Sequence, residues 1–292
     1  MSSHPIVAGT DGSSTANVAV DKAGELARAL GASVHVVCVP GALEAQEWPA
    51  RISAQQIVAV AADRLQSRGV TAETHLPKDQ GDAALALVAV AEHEQAQMIV
   101  VGNKGMTGIR RILGSLPNTV SHQARCDVLI VPTQSRSLAE FAGRSIVVGA
   151  DGSGGATRAG REAVRLSKAL GGELHVVSIS KSPDPQESAA AAVAAEAAEQ
   201  GVSAIAHARD DDPADALLDV ADKNDAAIIV VGSKGMRAGE RELFGNVPDK
   251  ISHRGTASVL IVFTGDESAR AGDAMSRVAV EDAGLSSEDA ST

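Results

Sequence analysis

The stretch MIVVGNKGM at Met98–Met106 returns as IIVVGSKGM at Ile228–Met236. Earlier in the chain, IVAGTDGSSTA at Ile6–Ala16 returns as VVGADGSGGAT at Val147–Thr157. Several matches in the same order are the mark of a duplicated structural unit. The 292-residue chain therefore contains two copies of one domain.

The copies occupy residues 1–136 and 137–263. Residues 264–292 form an acidic segment with few large apolar side chains. Such a composition cannot build a core, so we expect a disordered tail.

Each copy alternates short β-branched runs with Ala-rich helical patterns. In copy one, five runs predict buried strands: 5–10, 34–39, 70–76, 97–101 and 127–131. Four segments predict helices: 15–30, 54–67, 82–94 and 116–123. Strands that alternate with helices indicate a parallel sheet covered on both faces. The fold class is α/β, with two doubly wound five-stranded domains in tandem.

Composition excludes several classes of function. The net charge is −11, and one Trp, three Phe and no Tyr leave few aromatic platforms, which argues against nucleic acid as a partner. The longest apolar run, at 83–91, is far shorter than a membrane span, and the N-terminus lacks the features of a signal peptide. We expect a cytoplasmic protein without a membrane segment.

An Asp follows the first strand of each copy, at Asp11 and Asp151. Ligands of open α/β sheets bind beyond the carboxyl ends of strands, where the strand order reverses. Taken alone, an Asp at this place is also a common helix cap, and that simpler interpretation is the favoured one.

A glycine-rich loop follows the fourth strand of each copy. It contains Gly102, Lys104, Gly105, Gly114 and Ser115 in copy one. In copy two it contains Gly232, Lys234, Gly235, Gly245 and Asn246. Backbone N–H groups in such loops, together with a helix N-terminus, can hold phosphates. Alternatively, Ser115 and Asn246 only cap the helices that follow.

Together with the first strand ending in Asp-Gly-Ser, this loop and the following VLIV strand resemble the universal stress protein family in its tandem form. The resemblance covers residues 4–263. It implies an adenine nucleotide alpha hydrolase-like fold with strand order 3-2-1-4-5 and ATP across strands 1 and 4. A divalent ion such as Mg²⁺, if one is present, would arrive with the nucleotide. It also implies that the final strands of the two copies pair as an intramolecular pseudo-dimer.

The resemblance assigns roles to residues at matching positions. Asp11 and Asp151 would meet the adenosine, and the backbone of Val39 and Ile179 would contact adenine. The glycines of the two loops, with Ser115 and Asn246, would hold ribose and phosphates, and Lys104 and Lys234 could add positive charge.

Both loops depart from the family's spacing pattern. Eight residues rather than nine separate Gly105 from Gly114. Copy two has nine residues at this place, but Asn246 stands where the family has Ser or Thr. The amide of Asn can still donate to a phosphate, so we expect a nucleotide site in each copy.

Three function classes follow. The leading hypothesis is a stress-response regulator that binds ATP in each repeat, changes conformation, contacts an unidentified regulatory protein and associates into a homodimer. The second is an enzyme, for which no catalytic base can be named, so that ATP hydrolysis is slow at most. The third is a nucleotide-free interaction module.

The remaining polar and sulfur-containing features favour structural roles. His35 and His175 recur within the second strand, and we expect them to be packed. His122 and His253 recur at a helix end, where an imidazole commonly caps.

Cys38 and Cys126 match Ser and Ala in copy two, which indicates buried small residues, although a redox-sensing thiol stays open. The acidic run at 210–215 contains Pro213, so it indicates a helix start rather than a metal site.

Overall fold

The computed structural model describes residues 3–40, 53–77, 82–103, 115–132, 139–179, 189–233 and 246–265. The acidic segment that we expect to be disordered lies, beyond residue 265, outside these residues. No helix in these described ranges is long and apolar enough to cross a membrane.

Copy one contains five strands and four helices within the described ranges. Its strands are β1 Ile6–Gly9, β2 Val34–Val37, β3 Ala72–His75, β4 Met98–Gly102 and β5 Asp127–Val131. Its helices are α1 Ser14–Leu30, α2 Ala54–Gln66, α3 Ala83–His93 and α4 Ser115–Gln123.

Copy two repeats this order. Its strands are β6 Ile146–Gly149, β7 Leu174–Ile179, β8 Ala204–Arg209, β9 Ile228–Gly232 and β10 Ser258–Val262. Its helices are α5 Gly154–Leu170, α6 Ala189–Glu199, α7 Pro213–Lys223 and α8 Asn246–Arg254. The α/β alternation predicted from the sequence is confirmed, and the predicted ends in copy one differ from the observed ones by at most two residues.

The ten strands form one continuous sheet in the order β3-β2-β1-β4-β5-β10-β9-β6-β7-β8. Within each copy neighbouring strands are parallel, which gives the strand order 3-2-1-4-5 twice. The seam between the copies is the antiparallel pair of β5 and β10, with Leu129 opposite Leu260. The final strands of the two copies therefore pair, as the resemblance implies.

The two faces of the sheet carry separate apolar cores because successive side chains of a strand point to opposite faces. On one face, Ile6 and Ala8 of β1 join residues of α1 and α2 and their counterparts in copy two. On the other face, Val7 of β1 joins residues of α3 and α4 and their counterparts. Both cores run across the seam, so the copies share one sandwich of helices around the sheet.

Glycines end the longest helices. Gly31 follows α1 with φ +66° and Gly171 follows α5 with φ +71°, and each donates its N–H back to the last turn. This left-handed conformation is easy only for glycine, which explains why both helices stop at equivalent positions.

Candidate functional site

The strand order reverses between β1 and β4 in copy one. The chain goes from β1 to β2 on one side and returns to β4 on the other, with Ala8 next to Val100 in register. Asp11, just after β1, and Gly102, the last residue of β4, therefore lie at the same ends of adjacent strands. β6 and β9 create the same arrangement around Asp151 and Gly232. Because the two halves of the sheet are antiparallel at the seam, the two sites open at opposite edges.

A tight turn positions the Asp of each copy. The N–H of Ser13 donates to Asp11 Oδ1 at 2.9 Å, and the N–H of Ser153 donates to Asp151 Oδ1 at 2.9 Å. The helix cap is the serine, since Ser13 Oγ accepts from the N–H of Ala16. The interpretation of the Asp as helix cap is therefore wrong, because the hydroxyl two residues later takes that role. The Asp is held at the strand end instead.

Glycine leaves room for a close approach between β4 and the start of α1. A Cβ on Gly102 would lie 3.1 Å from the carbonyl oxygen of Thr15 in the first turn of α1. A Cβ on Gly232 would lie 3.2 Å from the carbonyl oxygen of Gly155 in α5. The close approach brings the end of β4 beside the N-terminus of α1. In each copy the strand glycine, the Asp turn and a helix N-terminus are thus neighbours.

The end of the second strand differs between the copies. Val39 is 6% exposed, whereas the equivalent Ile179 is 43% exposed. The adjacent Cys38 is buried, and burial, with a smaller contribution from the charge of Asp11, raises the pKa of its thiol to about 11. Cys38 is therefore protonated at neutral pH, which is unfavourable for a redox-sensing thiolate.

Ser115 and Asn246 are the first residues of α4 and α8. Because α4 returns the chain to the start of β5, its N-terminus lies at the edge where β4 ends, and α8 does the same in copy two. Six further predicted loop residues lie outside the described residues: Lys104, Gly105, Gly114, Lys234, Gly235 and Gly245. The same holds for the side chains of Ser115 and Asn246.

The model of the Universal stress protein family matches this chain twice, over residues 3–132 and 143–262. The chain belongs to the universal stress protein family. A universal stress protein from Mycolicibacterium smegmatis is 28% identical over 236 residues, which cover 75% of this chain and 79% of that protein. The double match agrees with the tandem organisation.

A solved structure of the family shares this fold. A universal stress protein from Archaeoglobus fulgidus DSM 4304 superposes with a TM-score of 0.72 over 91% of this chain and 98% of its own, at 22% identity. A universal stress protein in complex with cAMP is 33% identical and covers 45% of this chain and 98% of its own, with a TM-score of 0.36.

Other features of this universal stress protein have structural roles. Asp212 caps α7 by accepting from the N–H groups of Ala214 and Asp215, and Pro213 is the first helical residue. The acidic run is thus a helix start, as predicted. His253 lies in the last turn of α8, and its Nε2 contacts Oδ1 of Asp249, one turn earlier in the same helix, at 2.9 Å.

The structure shows two histidine pairs that the sequence does not predict. His35 Nδ1 lies 3.0 Å from His75 Nε2, and His175 Nδ1 lies 3.0 Å from His207 Nε2. The strand-two histidines are buried, as predicted, but each has a strand-three partner. Burial lowers the pKa of His75, His175 and His207, with the neighbouring histidine as a second cause for His75 and His207. The recurrence of His in strand three of both repeats is the signal that could have revealed the pairs.

Proposed function

We propose that this chain binds one ATP molecule in each repeat, at the switch points beside Asp11 and Asp151. Mg²⁺ accompanies the nucleotide phosphates. We further propose that occupancy of the two sites changes a conformation that a regulatory protein recognises, in the cytoplasm and with the chain as a homodimer. The units that act in this way are residues 1–136 and 137–263, with 264–292 as a separate tail.

One observation carries the proposal. Within each copy, one edge of the sheet holds a carboxylate on a fixed turn, a strand-end glycine against a helix start, and a second helix N-terminus. A carboxylate can accept hydrogen bonds from ribose hydroxyls, and helix N-termini attract phosphates. The mixture of one acceptor and several N–H donors suits a nucleotide better than a purely anionic ligand.

Binding rather than catalysis is the function that these groups support best. The backbone N–H two residues on donates to one carboxylate oxygen, which fixes the side chain in place as a ligand-binding group requires. Differential affinity for two conformations is all that a ligand needs in order to shift a population.

The test is calorimetric titration of the full chain with Mg-ATP, ADP, AMP and cAMP. We expect two ATP molecules per chain in the native sequence, one in Asp11→Ala, one in Asp151→Ala and none in the double variant. Asp11→Asn is the matched control for folding, because its amide oxygen still accepts from the N–H of Ser13.

The proposal is wrong if the native chain binds none of the four nucleotides. The assignment of the sites is wrong if both single variants keep a stoichiometry of two. Phosphate release that scales with occupancy and disappears in the double variant would instead favour the enzyme.

A further inference from the structure

We propose that His35, His75 and Glu94 form a zinc site in copy one, separate from the nucleotide sites. His35 lies on β2, His75 ends β3, and Glu94 follows directly after α3. Two strands and a helix end thus each contribute one ligand. The proposal does not depend on nucleotide binding.

The three side chains converge at distances typical of ligands around one ion. Nδ1 of His35 is 3.0 Å from Nε2 of His75 and 3.6 Å from Oε2 of Glu94. With one donor atom taken from each residue, the three donor atoms all lie within 4.8 Å of one another. Ligands about 2.1 Å from a tetrahedral zinc ion are roughly 3.4 Å apart, so small side-chain rotations would close the site.

The residue types fit zinc. Two imidazoles and one carboxylate are a known donor set for Zn²⁺, and three protein ligands leave the fourth position for water. Imidazole nitrogen also favours zinc and its neighbours over Mg²⁺ or Ca²⁺, which prefer oxygen alone. The ring nitrogen of a zinc-bound His that faces away from the metal commonly meets a carboxylate, and His35 Nε2 lies 3.9 Å from Glu73 Oε2.

Burial and access are both suitable. The side chain of His35 is 6% exposed, while those of His75 and Glu94 are 24% and 25% exposed. An ion can therefore enter from solvent past two of its ligands and reach a third that is fixed by packing.

Copy two provides an internal comparison. Its histidines, His175 and His207, make the same 3.0 Å contact, but the residue equivalent to Glu94 is Asn224. The amide of Asn224 donates to the carbonyl of Val220. Within the part of the chain that the structure describes, the copy-one cluster alone brings three such ligands together. We therefore expect one zinc ion per chain, not two.

The test is zinc titration of the full, tag-free chain after removal of bound metal, with ZnCl₂ as the probe and metal content measured by mass spectrometry. We expect one Zn²⁺ per chain and a rise in melting temperature on zinc addition. Glu94→Asn introduces the residue that copy two already carries, and should weaken zinc binding at least tenfold, as should His75→Gln. His207→Gln is the matched control and should bind zinc normally.

Cobalt gives a direct reading of the ligands. Co²⁺ in the native chain should show the visible absorption bands of a tetrahedral site, and Glu94→Asn should lose them. If His75→Gln does not fold, Glu94→Asn decides alone.

The proposal is overturned if the native chain binds no zinc at tens-of-micromolar concentration. It is overturned equally if Glu94→Asn keeps the native affinity, or if His207→Gln loses zinc to the same extent.

Discussion

Lys22 of α1 is a buried charge that contacts residues 139–141 at the start of copy two. It is 1% exposed, and its ammonium donates to Glu25 Oε1 at 2.7 Å and to the carbonyl oxygen of Ala139 at 2.5 Å. Glu25 in turn accepts from the N–H of Phe141 at 2.8 Å, and the ammonium lies 4.5 Å from the centre of the Phe141 ring. A charge pair in copy one thus holds residues 139–141 in place.

Lys22→Met should be strongly destabilising. Methionine replaces the aliphatic stem but leaves Glu25 partly buried without its cation and the carbonyl of Ala139 without its donor. Removing one partner of a buried ion pair typically costs about 3 to 5 kcal/mol. The hydrogen bond from the Phe141 N–H remains, so we expect a loss near the lower end, about 3 kcal/mol.

The equivalent pair in copy two is the matched control, because the two charges are exchanged there. Arg165 and Glu162 lie 2.7 Å apart, and their side chains are 42% and 14% exposed. The two carboxylates are about equally exposed, but the cation differs, because Arg165 is 42% exposed and Lys22 is buried. Arg165→Met also removes a hydrogen bond to Gln97 Oε1, so we expect it to cost about 1 kcal/mol, clearly less than Lys22→Met.

Urea denaturation followed by circular dichroism measures both changes as shifts in midpoint at constant slope. If the copies unfold in separate transitions, the shift for Lys22→Met belongs to the transition of copy one. A cost below about 1 kcal/mol for Lys22→Met, or equal costs for the two variants, would refute the reasoning.

Three further predictions concern backbone space, thiol reactivity and pH. Gly172→Ala should destabilise the chain by about 1 to 3 kcal/mol, because the new Cβ would lie 1.9 Å from the carbonyl oxygen of Arg144. A Cβ on Gly154 would meet nothing within 4 Å, so Gly154→Ala should stabilise the chain by about 0.4 to 1 kcal/mol in the same urea assay. Cys38, with a thiol pKa of about 11, should react with a thiol reagent at pH 8 far more slowly in the folded chain than in urea, and equal rates would contradict its burial. Burial lowers the pKa of His175 below its usual 6.5. Its neutral form therefore adds stability that is fully present above pH 6.5 and is lost as the pH falls through the lowered pKa. Thermal melts from about pH 7.5 to about pH 5 should show this loss of stability, and His175→Gln should make the loss smaller.

The repeat, the alternation and the final-strand pairing could be read from the sequence because each has a local signal. Runs of β-branched residues identify buried strands, and the match between VLIV at Val128–Val131 and at Val259–Val262 identifies the equivalent strands at the seam. The sequence favours Asp11 as the cap of α1, and this prediction is wrong because Asp and Ser are nearly equal as helix caps. Only the turn geometry decides that Ser13 accepts from the helix while Asp11 accepts from Ser13.

The histidine cluster could not be predicted in the same way, because it depends on the register between strands far apart in the chain. His75 lies beside Val37, and this register carries its ring to His35 on the same face of the sheet. No hydrophobic period encodes that register, since β3 is an edge strand with exposed side chains. Comparison of the two repeats supplies the missing constraint. A contact that recurs at equivalent positions, as at His175 and His207, reflects the backbone that both copies share. A side chain that differs between the copies beside such a contact, as Glu94 and Asn224 do, marks a position where the two copies can differ in what they bind.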